Sequence, residues 1–163
     1  MSFHFRDAAF DDLDTILELN RMAGISVAPI DRATLIDCFE TASYFRVAEI
    51  GGNVAGFLIG TDHTAQLGNT GFRWFRELYP AFAYIDRIVV AERYRGHGLG
   101  RVLYADMISF AEVRVPVLGC QISLEPRDNA SLLFHASLGF HEVAQLTSPQ
   151  NGRIGVMERT LCS

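Results

Sequence analysis

Cysteine is scarce in this chain. The three present, Cys38, Cys120 and Cys162, are odd in number and lack metal-ligand spacing. That argues against a disulfide framework and a thiolate metal site, and fits reduced thiols in a cytoplasmic protein. Cys120 sits in an apolar strand and reads as core filling rather than as a nucleophile. Long hydrophobic runs are missing as well. Met1–Asp7 holds no apolar stretch of signal-peptide length, and no window reaches the length of a membrane span, so no membrane partner is expected. Excess positive charge is lacking too. A net charge of −5 at pH 7 argues against a general nucleic-acid binder. It suits a cationic partner, although a modest acidic balance is also an ordinary state for a protein. With no linker, repeat or low-complexity segment, residues 1–163 are expected to form one domain around a single core.

What is present reads as alternating strands and helices. Phe3–Arg6 is a first strand. Asp11 or Asp12 caps a helix with Leu13, Ile16, Leu17 and Asn20 on one face, ending at Gly24. Asp31–Thr41 is a second, shorter helix. Tyr44–Ile50 and Val54–Gly60 form a hairpin around Gly51-Gly52-Asn53. Ala83–Val90 is a fourth strand, Gly98–Val113 a helix and Val117–Leu124 a buried fifth strand. Ser131–Leu138 is a helix stopped by Gly139, and Phe140–Leu146 pairs with Gly152–Leu161. The order is β-α-α-β-β-β-α-β-α-β-β. Asp62–Phe82 stands out as a long irregular stretch carrying Phe72, Trp74, Phe75, Tyr79 and Phe82. It reads either as a short helix, Gly71–Leu78, packing aromatics into the core or a dimer contact, or as one wall of a binding pocket.

The segment Tyr84–Gly100 carries the most chemistry. A Val/Ile/Tyr-rich strand runs into a basic loop with glycines at 96, 98 and 100, and then into a helix. Amides at a helix start lack intrahelical partners and sit at the positive end of the dipole, and glycine lets a phosphate approach the backbone closely. Two familiar phosphate loops do not fit. A P-loop needs Lys and then Ser or Thr after its last glycine, whereas Arg101 and Val102 follow Gly100. A dinucleotide fingerprint needs G-x-G-x-x-G, whereas the glycines here run G-x-G-x-G. The arginines Arg87, Arg93, Arg95 and Arg101 make a local basic patch suited to phosphates, if they are not simply solvated.

What remains is Arg95-x-x-Gly98-x-Gly100, which resembles the acyl-CoA signature of the GCN5-related N-acetyltransferase (GNAT) superfamily. Asn129-Ala130-Ser131-Leu132-Leu133-Phe134-His135-Ala136-Ser137-Leu138-Gly139-Phe140 resembles that family's second signature, an Asn opening a helix, an aromatic-Tyr pair and a closing Gly-Phe. Ser123-Leu124-Glu125-Pro126-Arg127 resembles the end of its fifth strand. The resemblance implies an α/β single domain with a mixed, mostly antiparallel, twisted sheet of about seven strands flanked by about four helices.

It also implies the donor half of a reaction. Acetyl-CoA would be the acyl donor, its pyrophosphate held by Arg95, Gly96, His97, Gly98, Leu99, Gly100 and Arg101, with Asn129 contributing. Its pantetheine arm would bond to the backbone of Ile88, Val89 and Val90 like an added strand, with a backbone N–H as oxyanion donor. No metal is implied. The acyl group would pass directly to a primary amine of a small molecule or peptide in a ternary complex. Asp86 is the first choice for the base that takes the amine's proton, unless it is merely paired with Arg87. Tyr84, on the same strand face, could line the pocket or bind the acceptor. Glu125 could act through water or simply finish its strand. His135 stands where most members carry the Tyr that protonates the leaving thiolate. It could keep that acid role, the role could be lost, or it could be an ordinary surface histidine. Two other readings stay open: a CoA-binding sensor without turnover, and transfer of an acyl group larger than acetyl. A homodimer is expected from family habit and the aromatic stretch.

Overall fold

The structure, a computed structural model of the chain, describes residues 2–24 and 27–161. Met1 and Cys162, both named above, lie outside the described residues. The elements run β1 (His4–Asp7), α1 (Leu13–Met22), α2 (Arg32–Thr41), β2 (Tyr44–Ile50), β3 (Asn53–Asp62), α3 (Thr70–Leu78), β4 (Ala83–Val90), α4 (Leu99–Glu112), β5 (Val117–Ser123), α5 (Asn129–Ser137), β6 (His141–Ser148) and β7 (Gly152–Thr160). The strands form a mixed sheet in the order β1-β2-β3-β4-β5-β7-β6. β4 and β5 are parallel, and the registered pairs β1·β2, β2·β3, β5·β7 and β6·β7 are antiparallel. This is the expected α/β architecture with one more helix. The added element is α3, inside the stretch expected to be irregular. Asn69 caps it by accepting from the Phe72 amide at 2.9 Å.

By contacts the chain groups into two compact units, Met1–Thr61 with Asp86–Met107, and Asp62–Ile85 with Ile108–Ser163. In the first, Leu13 and Ile16 of α1 and Leu35 of α2 pack on Phe45, Val47, Phe57, Ile59 and Val89 of the strands. Each such side chain contributes about 1.5–3 kcal/mol when fully buried. β2 and β3 meet in a two-residue turn, Ile50 facing Asn53, with Gly51 and Gly52 at φ +58° and +82°. Those are the left-handed conformations that a type I′ hairpin turn demands. Asp12 does not cap α1 with its side chain. Its carboxylate accepts from the Ala9 amide at 2.6 Å and pairs with Arg6 at 2.7 Å. α4 is tied to β2 through Asp106, which accepts from Tyr44 Oη at 2.5 Å and Arg46 Nη1 at 2.9 Å. Burial and that carboxylate push the Tyr44 phenol well above its ordinary pKa.

In the second unit, Phe72 and Phe75 of α3 pack with Phe82, Tyr84, Val117, Ile154 and Val156. So the aromatics of this helix fill a core, as the first of the two alternatives had it. α3 lies close on the strands because glycine makes room. A Cβ at Gly119 would come within 2.2 Å of the Phe75 ring, and one at Gly71 within 2.6 Å of Tyr84 Oη. α5 begins at Asn129, but its cap is Asp128, whose carboxylate accepts from the Ser131 amide at 3.1 Å. Among the described residues, no helix is long and apolar enough to cross a membrane.

Candidate active site

The loop between β4 and α4 carries the glycines of the expected phosphate site. Gly96 and Gly98 adopt φ +82° and +80°, a region that L side chains enter only with strain. A Cβ on either would meet no heavy atom within 4 Å. The protein therefore leaves the space above both glycines open, while the backbone presents itself to it. The first intrahelical bond of α4 runs from the Val102 amide to the Gly98 carbonyl at 3.1 Å. The Leu99 and Gly100 amides precede it at the positive end of the helix. Leu99 contributes backbone alone, since its side chain is buried against Gly56 of β3. His97, Arg95, Arg93 and Arg101 are exposed around this turn. A pyrophosphate fits such a donor set: backbone N–H groups at a helix start, no side chain above the glycines, and exposed arginines at the rim.

β4 leads into this loop with one edge committed to β3. The Ala91 amide donates to the Ala55 carbonyl of β3 at 2.8 Å. By strand alternation Val89 faces β3 in the same way, consistent with its carbonyl lying 2.8 Å from where a Gly56 Cβ would stand. Of the three residues expected to bond an added strand, only Ile88 and Val90 therefore turn their backbone groups to the other edge. Val90's carbonyl already accepts from Arg95 Nε at 3.1 Å. The parallel register of β4 with β5 comprises Ala83↔Leu118 and Tyr84↔Gly119.

Asp86 is half-buried, and its Oδ2 accepts from Arg87 Nε at 3.0 Å. The ion pair expected as the alternative to a catalytic role is thus formed. Arg87 leaves the phosphate patch in which the sequence grouped it. Its Nη1 donates instead to Asn20 Oδ1 at 3.0 Å and to the Ala28 carbonyl at 2.8 Å. Tyr84 is fully buried within the α3 core, its ring edge-on to Phe72 with centroids 5.5 Å apart and its hydroxyl 3.4 Å from Gln121 Oε1. Gln121 Oε1 also accepts from the Gly71 amide at 2.8 Å. Fully buried, the Tyr84 side chain has no exposed surface with which to line a pocket.

His135 is buried, not at the surface. Its ring stands edge-on to Phe134 and Phe140, with centroids 5.6 Å apart in both pairs. Nδ1 lies 2.8 Å from the Ser131 carbonyl. A carbonyl only accepts, so Nδ1 carries the proton, and in the neutral ring Nε2 is then an acceptor. Burial pulls the imidazole below its ordinary pKa, against the weaker opposite pull of that hydrogen bond. A neutral ring of this tautomer cannot hand a proton to a thiolate without first being charged, so the geometry does not favour the expected acid role. Asn129 is exposed, its Oδ1 accepting from Arg127 Nε at 3.2 Å. Glu125 Oε1 accepts from the Arg153 amide at 3.0 Å, which matches the strand-finishing alternative.

Burial raises the Cys38 thiol to about 11 and the Cys120 thiol to about 12, which keeps both in the poorly nucleophilic protonated form. Among the described residues, no group of His, Cys, Asp or Glu is arranged to hold a metal ion.

The model of the acetyltransferase (GNAT) family matches residues 11–140. The chain belongs to the GNAT acetyltransferase family. No curated protein matches it by sequence, but solved structures share its fold. Ard1 from Thermoplasma volcanium superposes with a TM-score of 0.80 at 17% identity, over 100% of both chains. The ribosomal-protein-alanine N-acetyltransferase from Brucella melitensis gives 0.75 at 25% identity, over 97% of this chain and 99% of that one. A GNAT superfamily phosphinothricin acetyltransferase (Pat) from Sinorhizobium meliloti, solved in complex with AcCoA, gives 0.77 at 21% identity, over 99% of this chain and 90% of that one. Within the GNAT frame, three contributions were missed by the sequence reading: Asn20, the Ala28 carbonyl and Gln121. Asn20 left a signal, a polar residue on the otherwise apolar face of α1.

Proposed function

We propose that this GNAT protein is an acetyl-CoA-dependent N-acetyltransferase that acetylates a primary amine by direct attack. The carrying observation is the loop at the start of α4, with Gly96 and Gly98 at positive φ beneath open space. Bound acetyl-CoA supplies an activated acyl group. Gly96, His97, Gly98, Leu99 and Gly100 hold its pyrophosphate through their amides, with Arg95 and Arg101 at the rim. Ile88 and Val90 offer backbone groups to the pantetheine arm. Asp86 takes the proton that the attacking ammonium must lose, directly or through one water. The family resemblance gives His135 a part in the reaction, and its tautomer makes Nε2 a hydrogen-bond acceptor. Buried, protonated thiols favour direct transfer over a covalent enzyme intermediate. The acceptor is an amine of a small molecule or a peptide, and alanine-initiated peptides deserve priority because the relative from Brucella melitensis is named for that acceptor.

Calorimetry with acetyl-CoA tests the donor half, and binding is expected. Thiol release over a panel of alanine-initiated peptides, polyamines and amino acids tests the acceptor half. The chain contains no lysine, so self-acetylation of lysine side chains adds no background. Failure of the wild type to bind acetyl-CoA would falsify the reading. A second reading, a CoA-binding module without turnover, is favoured by the tautomer of His135. Tight acetyl-CoA binding with no thiol release over the whole panel would select it.

A further inference from the structure

Arg87 stands beside the proposed base, and its guanidinium is committed on two sides. Nε donates to Asp86 Oδ2 at 3.0 Å, while Nη1 donates to Asn20 Oδ1 at 3.0 Å and to the Ala28 carbonyl at 2.8 Å. The side chains of Arg87 and Asp86 are only 11% and 13% exposed. Asn20 is buried on α1, and its Nδ2 donates to the same Ala28 carbonyl at 3.1 Å. The amide orientation of Asn20 is thereby fixed, since its oxygen must face the guanidinium and its nitrogen the carbonyl. Arg87, Asn20 and Ala28 close a three-membered ring of hydrogen bonds, with Asp86 attached to the other side of the guanidinium. The carbonyl so gripped belongs to the connection between α1 and α2. The next two residues, Pro29 and Ile30, line a cavity of about 330 Å³ together with Leu17 and Asn20.

We propose that Arg87 is a positioning residue that ties the placement of the Asp86 carboxylate to that of the segment joining α1 and α2. The proposal rests on Asp86 acting as the base. The warrant is geometric. A guanidinium is one rigid plane whose donors cannot be re-aimed separately. Moving the segment at Ala28 therefore rotates the fork that holds Asp86, and releasing Asp86 frees the fork that holds Ala28. Partial burial strengthens each bond and penalises any donor or acceptor left unmatched. A lysine at this position would offer a single ammonium and could not span Asp86, Asn20 and Ala28 with fixed angles.

The test is amide hydrogen exchange at residues 27, 28, 30 and 31, read in the full chain without substrate. Asp86→Ala touches none of these residues, yet it should raise their exchange about 10-fold, and Asp86→Asn should raise it by less. Asn20→Ala should raise it comparably by removing the ring from the other side. A merely structural Arg87, which held the segment without reference to Asp86, would leave exchange in Asp86→Ala at the wild-type value, and that result overturns the proposal. Arg87→Lys adds a catalytic readout. Turnover in the thiol-release assay should fall about 10-fold with acetyl-CoA affinity unchanged, and unchanged turnover would also overturn it. Acetyl-CoA calorimetry on each variant checks the fold. Because exchange is read without an acceptor, it is decided separately from whether acetyl transfer is found.

Discussion

His135 Nδ1 donates to the carbonyl of Ser131, one turn earlier on α5, across 2.8 Å. Burial of the ring and this bond pull its pKa in opposite directions, burial more strongly. Burial lowers the folded-state pKa. As pH falls, the unfolded chain therefore binds a proton first, near the ordinary value of about 6.5. His135 costs no stability at pH 7.5. Below about 6.5 it costs up to about 1.4 kcal/mol per pH unit, until the folded ring itself protonates. His135→Asn keeps an amide donor for the Ser131 carbonyl but cannot titrate. Urea unfolding at pH 7.5 and pH 5 should show a larger loss for the wild type than for this variant. Equal losses would mean that the ring is charged in the fold.

Gly119 on β5 is where α3 touches the sheet. An added Cβ would sit 2.2 Å from the Phe75 ring, and that rigid, fully buried ring has little room to move. Gly119→Ala should cost about 1–3 kcal/mol by overpacking. Phe75→Leu removes part of the obstructing ring, so the double variant should be more stable than the sum of the two single changes by about 1 kcal/mol. Thermal or urea denaturation of all four proteins checks this, and strict additivity would mean that α3 packs elsewhere.

These two sites show what could be read beforehand. The α5 signature announced a helix around His135 and included Phe140, but did not show that the ring would be buried edge-on between Phe134 and Phe140. α3 was legible only as one of two alternatives. Its apolar stripe is short, and Gly71 entered the reading only as the first residue of the candidate helix. Gly71 is instead required by close approach to Tyr84 and Gln121, which are distant in sequence. The Gly51-Gly52 turn, by contrast, was plain, because the two-residue turn itself demands the residues. The loop from Arg95 to Gly100 was legible for the same reason. The pairing of Arg87 with Asp86 was legible as one alternative, but its second partner, Asn20, lies 67 residues away and was not.

Asp86 offers the sharpest kinetic prediction. Asp86→Asn keeps the side chain's shape and a hydrogen-bond acceptor for Arg87 Nε, but removes the carboxylate proposed to take the amine's proton. With an acceptor from the panel, turnover should drop by about 10²–10⁴-fold, while acetyl-CoA affinity, set at the α4 loop, should stay within about 2-fold. Thiol release and calorimetry measured side by side separate the two effects. Turnover close to wild type would assign proton removal to another group or to solvent.

Gly98 tests the donor site by itself. At φ +80° an alanine is strained by about 1–2 kcal/mol, yet its Cβ would meet no protein atom within 4 Å. The fold should therefore survive Gly98→Ala with a modest drop in Tm. The same methyl would project into the open space above the loop and hold a phosphate away from the backbone amides. Acetyl-CoA affinity should fall about 10-fold or more, a loss of at least about 1.4 kcal/mol of binding free energy, and Gly98→Val should abolish measurable binding. Gly52→Ala supplies the comparison. It too carries a positive φ of +82° with no atom within 4 Å of a Cβ, but it lies in the β2–β3 turn. It should lower Tm by a similar amount and leave acetyl-CoA affinity untouched. If both alanine variants bind acetyl-CoA like the wild type, the glycine loop serves backbone geometry alone and the pyrophosphate binds elsewhere.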